Sequence, residues 1–176
     1  GLKIHVIQKT TPYDLAGPDG TFPDVLISSY HKLHGWCDEL AGKMKTVIFD
    51  EAHELRRDVS NRYKAAVEIA SVATYRMGLT GTPVFNYGGD LWNIVDAINP
   101  GSLGDWQSFA IEWCSGIEDK TKAKIADTTA LNAYLREQGI MLRRTRKDVG
   151  RELPPLSNIP FAIDADTAEL DKIRGD

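Results

Sequence analysis

Two short β-prone runs, TVIFD (residues 46–50) and TYRMGLT (residues 74–80), flank a segment with the periodicity of a helix, residues 60–73. This order constrains the fold more than any other feature of the chain. Two strands joined through a helix pair in parallel, so the unit belongs to an α/β sheet. Ser60 or Asn61 supplies an N-cap, and Tyr63, Ala66, Val67 and Ala70 share one face of the expected helix. The run from Thr46 to Phe49 has the continuous apolar pattern of a strand buried on both faces. Upstream, residues 3–7 (KIHVI) and 24–29 (DVLISS) read as two more strands. Residues 30–40 place Leu33, Trp36, Cys37 and Leu40 at helical spacing, which predicts a helix there. After Pro83 the character changes. Residues 89–98, 105–114 and 128–138 are helical candidates rich in Leu, Ile, Trp and Phe, and a late strand-like run covers 158–164. The expected architecture is α/β: a parallel sheet flanked by helices, with a helical C-terminal extension.

The chain has 176 residues, enough for one domain with its own core. No apolar run approaches the roughly 20 residues needed to cross a bilayer, so no membrane partner is expected. The start, Gly1-Leu2-Lys3-Ile4, lacks the basic and apolar regions of a signal peptide. Cys37 and Cys114 form no CxxC pair, which argues against a disulfide scaffold or zinc ribbon and suits a reducing cytoplasm. The net charge of −4 disfavours a general nucleic-acid coat. A local basic strip can still act within an acidic chain. Residues 143–152 (RRTRKDVGRE) hold five basic and two acidic side chains, though such a run also suits a solvated helix face.

In an open α/β sheet, ligands bind beyond the carboxyl ends of the strands. The run Thr46–Phe49 ends there in Asp50, Glu51, Ala52 and His53. An Asp placed directly after a buried strand can hold magnesium through water, and a second acid beside it can orient or deprotonate an attacking water. A histidine two residues on can couple that site to a neighbouring loop. The plainer alternative is that Asp50 caps the next helix and Glu51 adds favourable charge to its first turn. A zinc-protease helix is excluded, because His53-Glu54 is followed by Leu55, Arg56 and Arg57 rather than by a second histidine at the required spacing. The second signal is GLTGTP, residues 78–83. Thr80 and Thr82 flank Gly81 at a strand end, where hydroxyls can reach the histidine of the neighbouring strand. Taken alone, the stretch is also good turn chemistry.

Asp-Glu-Ala-His at a strand end, followed about thirty residues later by GLTGTP, resembles motifs II and III of the superfamily-two helicases. Residues 81–114, with Asn86, Leu91-Trp92 and Asn99-Pro100-Gly101 leading to Leu103-Gly104, resemble the Swi/Snf family of DNA-translocating ATPases. MLRRTRKDVGRELPP (141–155) is similar to the segment by which that family leaves its first motor lobe, and DVLISSYHKL (24–33) to its motif Ib region. The resemblance implies a RecA-like first lobe and an ATP hydrolase stimulated by double-stranded DNA. It implies ATP and magnesium at Asp50 and Glu51, with His53, Thr80, Gly81 and Thr82 coupling that site to DNA. It places Ser28, Ser29 and Tyr30 near the tracking strand. Arg143, Arg144 and Arg146 are assigned to DNA or to a second RecA-like lobe of the same polypeptide. The implied division is 1–84 for the downstream part of lobe 1, 85–140 for the family's helical segment and 141–176 for a basic connector.

One family element is missing from these residues. The phosphate cradle Gly-x-x-x-x-Gly-Lys-Ser/Thr does not occur. The only Gly-Lys, Gly42-Lys43, is followed by Met44 and has Cys37 where the first glycine belongs. The expectation is therefore an incomplete first lobe, inactive alone, from a cytoplasmic bacterial or phage protein. A RecA-like scaffold without catalysis and a strand-separating helicase or restriction-type translocase are the alternatives. Trp36, Trp92, Trp106, Phe109 and Trp113 are read as core, because they recur at helical spacing with other apolar residues. His5, His31 and His34 have no ligand partners at metal spacing and receive no role.

Overall fold

The computed structural model describes residues 1–81, 87–116, 119–144, 148 and 150. Thr82, Asn86, Arg146 and the strand expected at 158–164 lie outside the described residues. The chain divides into two units, Gly1–Leu142 and Arg143–Asp176. The first unit carries, in order, β1 (Ile4–Val6), β2 (Val25–Ile27), α1 (Tyr30–Leu33), α2 (Cys37–Leu40), β3 (Thr46–Phe49), a 3-10 turn (Ala52–Leu55), α3 (Asn61–Ser71), β4 (Tyr75–Gly78), α4 (Gly88–Ile98), α5 (Trp106–Trp113) and α6 (Thr128–Glu137). Among the described residues no helix is long and apolar enough to cross a membrane.

Among the described residues the four strands form two separate two-stranded parallel sheets, as the strand–helix–strand order requires for β3 and β4. β1 pairs with β2 in the register Ile4↔Val25, and β3 pairs with β4 in the register Phe49↔Gly78. Alternate strand residues turn into a common interior. Ile7 and Leu26 join Val47 around buried Trp36, Leu40 and Ile69. Phe49 joins Ala52, Leu55, Ala66, Ala70, Ile94 and Ala97 in a second cluster. The helix α3 serves both clusters, with Ala66 and Ala70 on one and Ile69 on the other. Its N-cap is Ser60, whose Oγ accepts a hydrogen bond from the Tyr63 N–H at 3.2 Å. A small residue lets α4 and the 3-10 turn approach β4 closely. A Cβ at Gly78 would fall 2.2 Å from Ile98 Cδ1 and 3.1 Å from Ala52 Cβ.

Two expectations are corrected. The run Thr46–Phe49 is covered on one face only: Val47 and Phe49 turn towards core clusters, and the alternate residues Thr46 and Ile48 do not. Ile48 is 58% exposed beside its exposed register partner Met77, and in the other sheet the paired residues Ile4 and Val25, and Val6 and Ile27, are exposed as well. A parallel sheet is normally covered on both faces, so this open side is the most unusual property of the fold. The helix expected at 30–40 is also broken, into α1 and α2. The break falls at Gly35, where the Thr10 carbonyl lies 2.0 Å from the position a Cβ would take, and Trp36 Nε1 donates to the Lys9 carbonyl at 2.8 Å. Leu33, Trp36, Cys37 and Leu40 nevertheless reach one cluster, as their spacing requires.

The helices after residue 87 form a third cluster, with Leu91, Phe109, Leu131 and Leu135 buried and Trp92, Trp106 and Trp113 packed around them. Trp36 is fully buried, whereas Trp92, Trp106 and Trp113, also expected in the core, are partly buried against its edge. Lys120 lies over the Trp92 ring at 4.0 Å from its centroid and pairs with Asp58 at 2.8 Å.

Candidate active site

Phe49 closes β3 inside the core, and Asp50 is the first residue beyond the strand. Two backbone bonds hold the chain in place after this point. The Leu79 N–H donates to the Phe49 carbonyl, and the Ala52 N–H donates to the Leu79 carbonyl, each at 2.8 Å. Between these bonds the chain turns sharply through Glu51, which adopts φ 49°, ψ 51°. It is the only non-glycine residue with positive φ among the described residues. A left-handed conformation costs an L-residue about 1–2 kcal/mol. Backbone outliers of this kind concentrate at functional sites.

The turn leaves the Asp50 and Glu51 side chains exposed at the carboxyl end of the sheet. Asp50 Oδ1 accepts the Glu51 N–H at 3.0 Å, and Oδ2 has no partner among the described residues. Neither acid caps a helix. The element that follows is a single 3-10 turn without a side-chain cap bond, so capping does not account for the acidic pair.

His53 sits in that turn. Its Nδ1 lies 3.1 Å from Glu51 Oε2 and 3.4 Å from Thr80 Oγ1. Its Nε2 lies 3.9 Å from Glu54 Oε1. Glu54 in turn forms an ion pair with Arg62 on α3. The imidazole thus stands between the acid after β3 and the hydroxyl after β4. Gly81 is exposed beside Thr80, with open space where a Cβ would point.

Ser28 and Ser29 follow β2 at the same end of the strands. Ser28 Oγ donates to the Ser29 carbonyl at 3.2 Å, and the Ser29 side chain is exposed. Tyr30 behaves differently from its two neighbours. Its ring stacks on Phe49 at 6.3 Å between centroids and 17° between planes, and its hydroxyl donates to the Asp50 carbonyl at 2.8 Å. Burial, reinforced by the charges of Glu54, Asp50 and Glu51, pushes its phenol above the ordinary tyrosine range, so it stays a donor. Arg143 and Arg144 are exposed and belong to the second unit.

The chemistry of the donor set fits a magnesium ion. Magnesium takes one or two carboxylates and fills its remaining positions with water and phosphate oxygens. Asp50 and Glu51 are exposed hard-oxygen donors of that kind. Among the described residues no group of three or more His, Cys, Asp or Glu could hold a metal alone, so an ion here would need those outside ligands. Sequence reasoning did not identify Glu54 and Arg62 as parts of the site. The carboxylate's place next to His53 was the available signal, but its partner eight residues away on α3 was not predictable from spacing.

A family model described as the SNF2-related domain matches residues 19–170. A Caenorhabditis elegans protein, the SWI/SNF-related matrix-associated actin-dependent regulator of chromatin subfamily A-like protein 1 homolog, is 29% identical over 141 residues, covering 76% of this chain and 20% of that protein. The Saccharomyces cerevisiae TATA-binding protein-associated factor MOT1 is 33% identical over 143 residues, covering 75% of this chain and 7% of that protein. The chain therefore spans a fifth or less of the length of these two relatives. A solved structure, the Sulfolobus solfataricus SWI2/SNF2 ATPase core in complex with dsDNA, matches with a TM-score of 0.56 at 24% identity, covering 85% of this chain and 30% of that one. That likeness establishes a RecA-like fold. The match of the family model over most of the sequence settles the wider question: the chain belongs to the SNF2-related domain family.

Proposed function

We propose that this chain is part of the first RecA-like lobe of an ATP-hydrolysing motor that tracks along double-stranded DNA. The observation that carries the reading is the exposed pair Asp50–Glu51 at the carboxyl ends of parallel strands, joined through His53 to Thr80, which follows the next strand. Asp50 would hold magnesium, and the ion would supply charge neutralisation for the phosphates of ATP. Glu51 orients the attacking water and takes its proton. His53 contacts Glu51 and Thr80 through one nitrogen, so a shift of either loop changes the contact available to the other. Ser28 and Ser29 lie near the DNA backbone. Arg143 and Arg144 serve the DNA or a second lobe of the same polypeptide. Two free thiols, Cys37 and Cys114, suit a reducing cytoplasm.

The lobe is incomplete within these residues. Its sheet is open on one face, where Ile48 and Met77 are exposed, and the sequence contains no phosphate cradle. We assign that face to the α/β segment of the same lobe that bears the cradle. Phosphoryl transfer depends on the cradle, its lysine, the metal and an arginine from the second lobe, so the chain alone hydrolyses ATP far below the usual enzyme range of about 1 s⁻¹ and above. The test is ATP hydrolysis by the full-length polypeptide with and without duplex DNA. A rate that rises on adding duplex supports the reading, and a rate indifferent to DNA overturns it.

A further inference from the structure

The Asp50–Glu51 peptide is held at both ends. Its N–H is held by the Asp50 carboxylate, Oδ1, at 3.0 Å. Its carbonyl is held by the Tyr30 hydroxyl at 2.8 Å. This is the peptide that sets φ of Glu51, the one left-handed non-glycine among the described residues. The tyrosine is itself fixed in place, because its ring stacks at 6.3 Å on Phe49, the last residue of β3 and part of the core. A donor anchored on the strand therefore grips the first peptide beyond it. Its ring belongs to the first turn of α1, directly after Ser28 and Ser29.

We propose that Tyr30 is a positioning residue for Glu51: its hydroxyl fixes the peptide that aims the Glu51 carboxylate. This rests on the motor reading above, in which Glu51 activates water. It also moves Tyr30 from the DNA surface, where the family resemblance placed it, to the catalytic loop. The hydroxyl that would face a phosphate is spent on the Asp50 carbonyl. Burial and three neighbouring carboxylates keep the phenol protonated, so the donor persists across the working pH range.

The test is Tyr30→Phe in the full-length polypeptide, which deletes one oxygen and keeps the ring on Phe49. Single-turnover ATP hydrolysis, KM for ATP and Kd for a blunt duplex are measured in the wild-type and Glu51→Gln backgrounds. The expected result is a rate about fivefold lower in the wild-type background, the size of one ordinary hydrogen bond. KM for ATP and Kd for duplex stay within twofold. In the Glu51→Gln background the same substitution changes the rate by less than twofold, because the group it positions is gone. Three results overturn the proposal: an unchanged rate, a full fivefold loss that persists without the Glu51 carboxylate, or a duplex Kd weakened fivefold with the rate retained. A wild-type polypeptide that does not hydrolyse ATP overturns the motor reading instead, before any variant is compared.

Discussion

Replacing Glu51 separates the backbone of the site from its chemistry. Glu51 holds φ 49°, ψ 51°, where a side chain costs about 1–2 kcal/mol and glycine costs nothing. Glycine also loses more chain entropy on folding than alanine, by roughly 0.5–1 kcal/mol. The difference favours glycine by about 0.5–1 kcal/mol. The contact with His53 does not blur the comparison, because both replacements lose it equally. Glu51→Gly is therefore more stable than Glu51→Ala by that amount, the reverse of the order at an ordinary exposed position. For a chain of this size the gain corresponds to about 1–4 °C in melting temperature. Urea midpoints and thermal melts of the two variants measure it directly. If Glu51→Ala proves as stable as Glu51→Gly, or more so, the left-handed turn is not a source of strain and the argument is wrong. Both variants lose the carboxylate. Relief of strain without recovery of function is what a site that stores strain for catalysis requires.

Two further outcomes follow from the fold. Burial, with help from Glu68 and Asp38, pushes the Cys37 thiol up to about 11 from its ordinary 9.0. Its thiolate is scarcer at pH 8 by about 100-fold, partly offset by higher intrinsic nucleophilicity, so alkylation runs about tenfold slower than for a free cysteine and accelerates as pH rises towards 11. A rate at pH 8 equal to that of a free thiol would contradict the burial. The pair Ile48→Lys and Met77→Lys costs this chain no more than about 0.5 kcal/mol each, since both side chains are already exposed. In the full-length polypeptide the same pair costs several kcal/mol, because it buries charge under the covering segment. Comparable melting shifts in both proteins would argue that nothing covers the face.

Much of this architecture was legible in the sequence because local patterns and tertiary structure agree. The strand–helix–strand order around residues 46–80 dictated parallel pairing, and Ser60 capped α3 where the pattern placed it. The exposed position of the acidic pair was legible because it directly follows an apolar strand, whereas its role was suggested only by the resemblance of the tetrapeptide Asp50 to His53 to a helicase motif. The rest depends on contacts distant in sequence. An apolar run such as Thr46–Phe49 does not say whether its second face is covered within these residues, and here it is not. The break at Gly35 follows from the passing Thr10 carbonyl, which helical periodicity does not register. Glutamate has no special preference for left-handed backbone, so the turn at Glu51 carried no compositional mark. The bond from Tyr30 to Asp50 spans twenty residues, and only the folded sheet reveals it.

The central claim is that Glu51 activates water for ATP hydrolysis. Glu51→Gln in the full-length polypeptide tests it most directly, since the amide keeps the shape and removes the base. Hydrolysis measured with saturating duplex DNA should fall by about 10²–10⁴-fold, the range of a positioned general base, while nucleotide affinity stays within about twofold. A Gln variant that hydrolyses ATP at the wild-type rate would contradict the account.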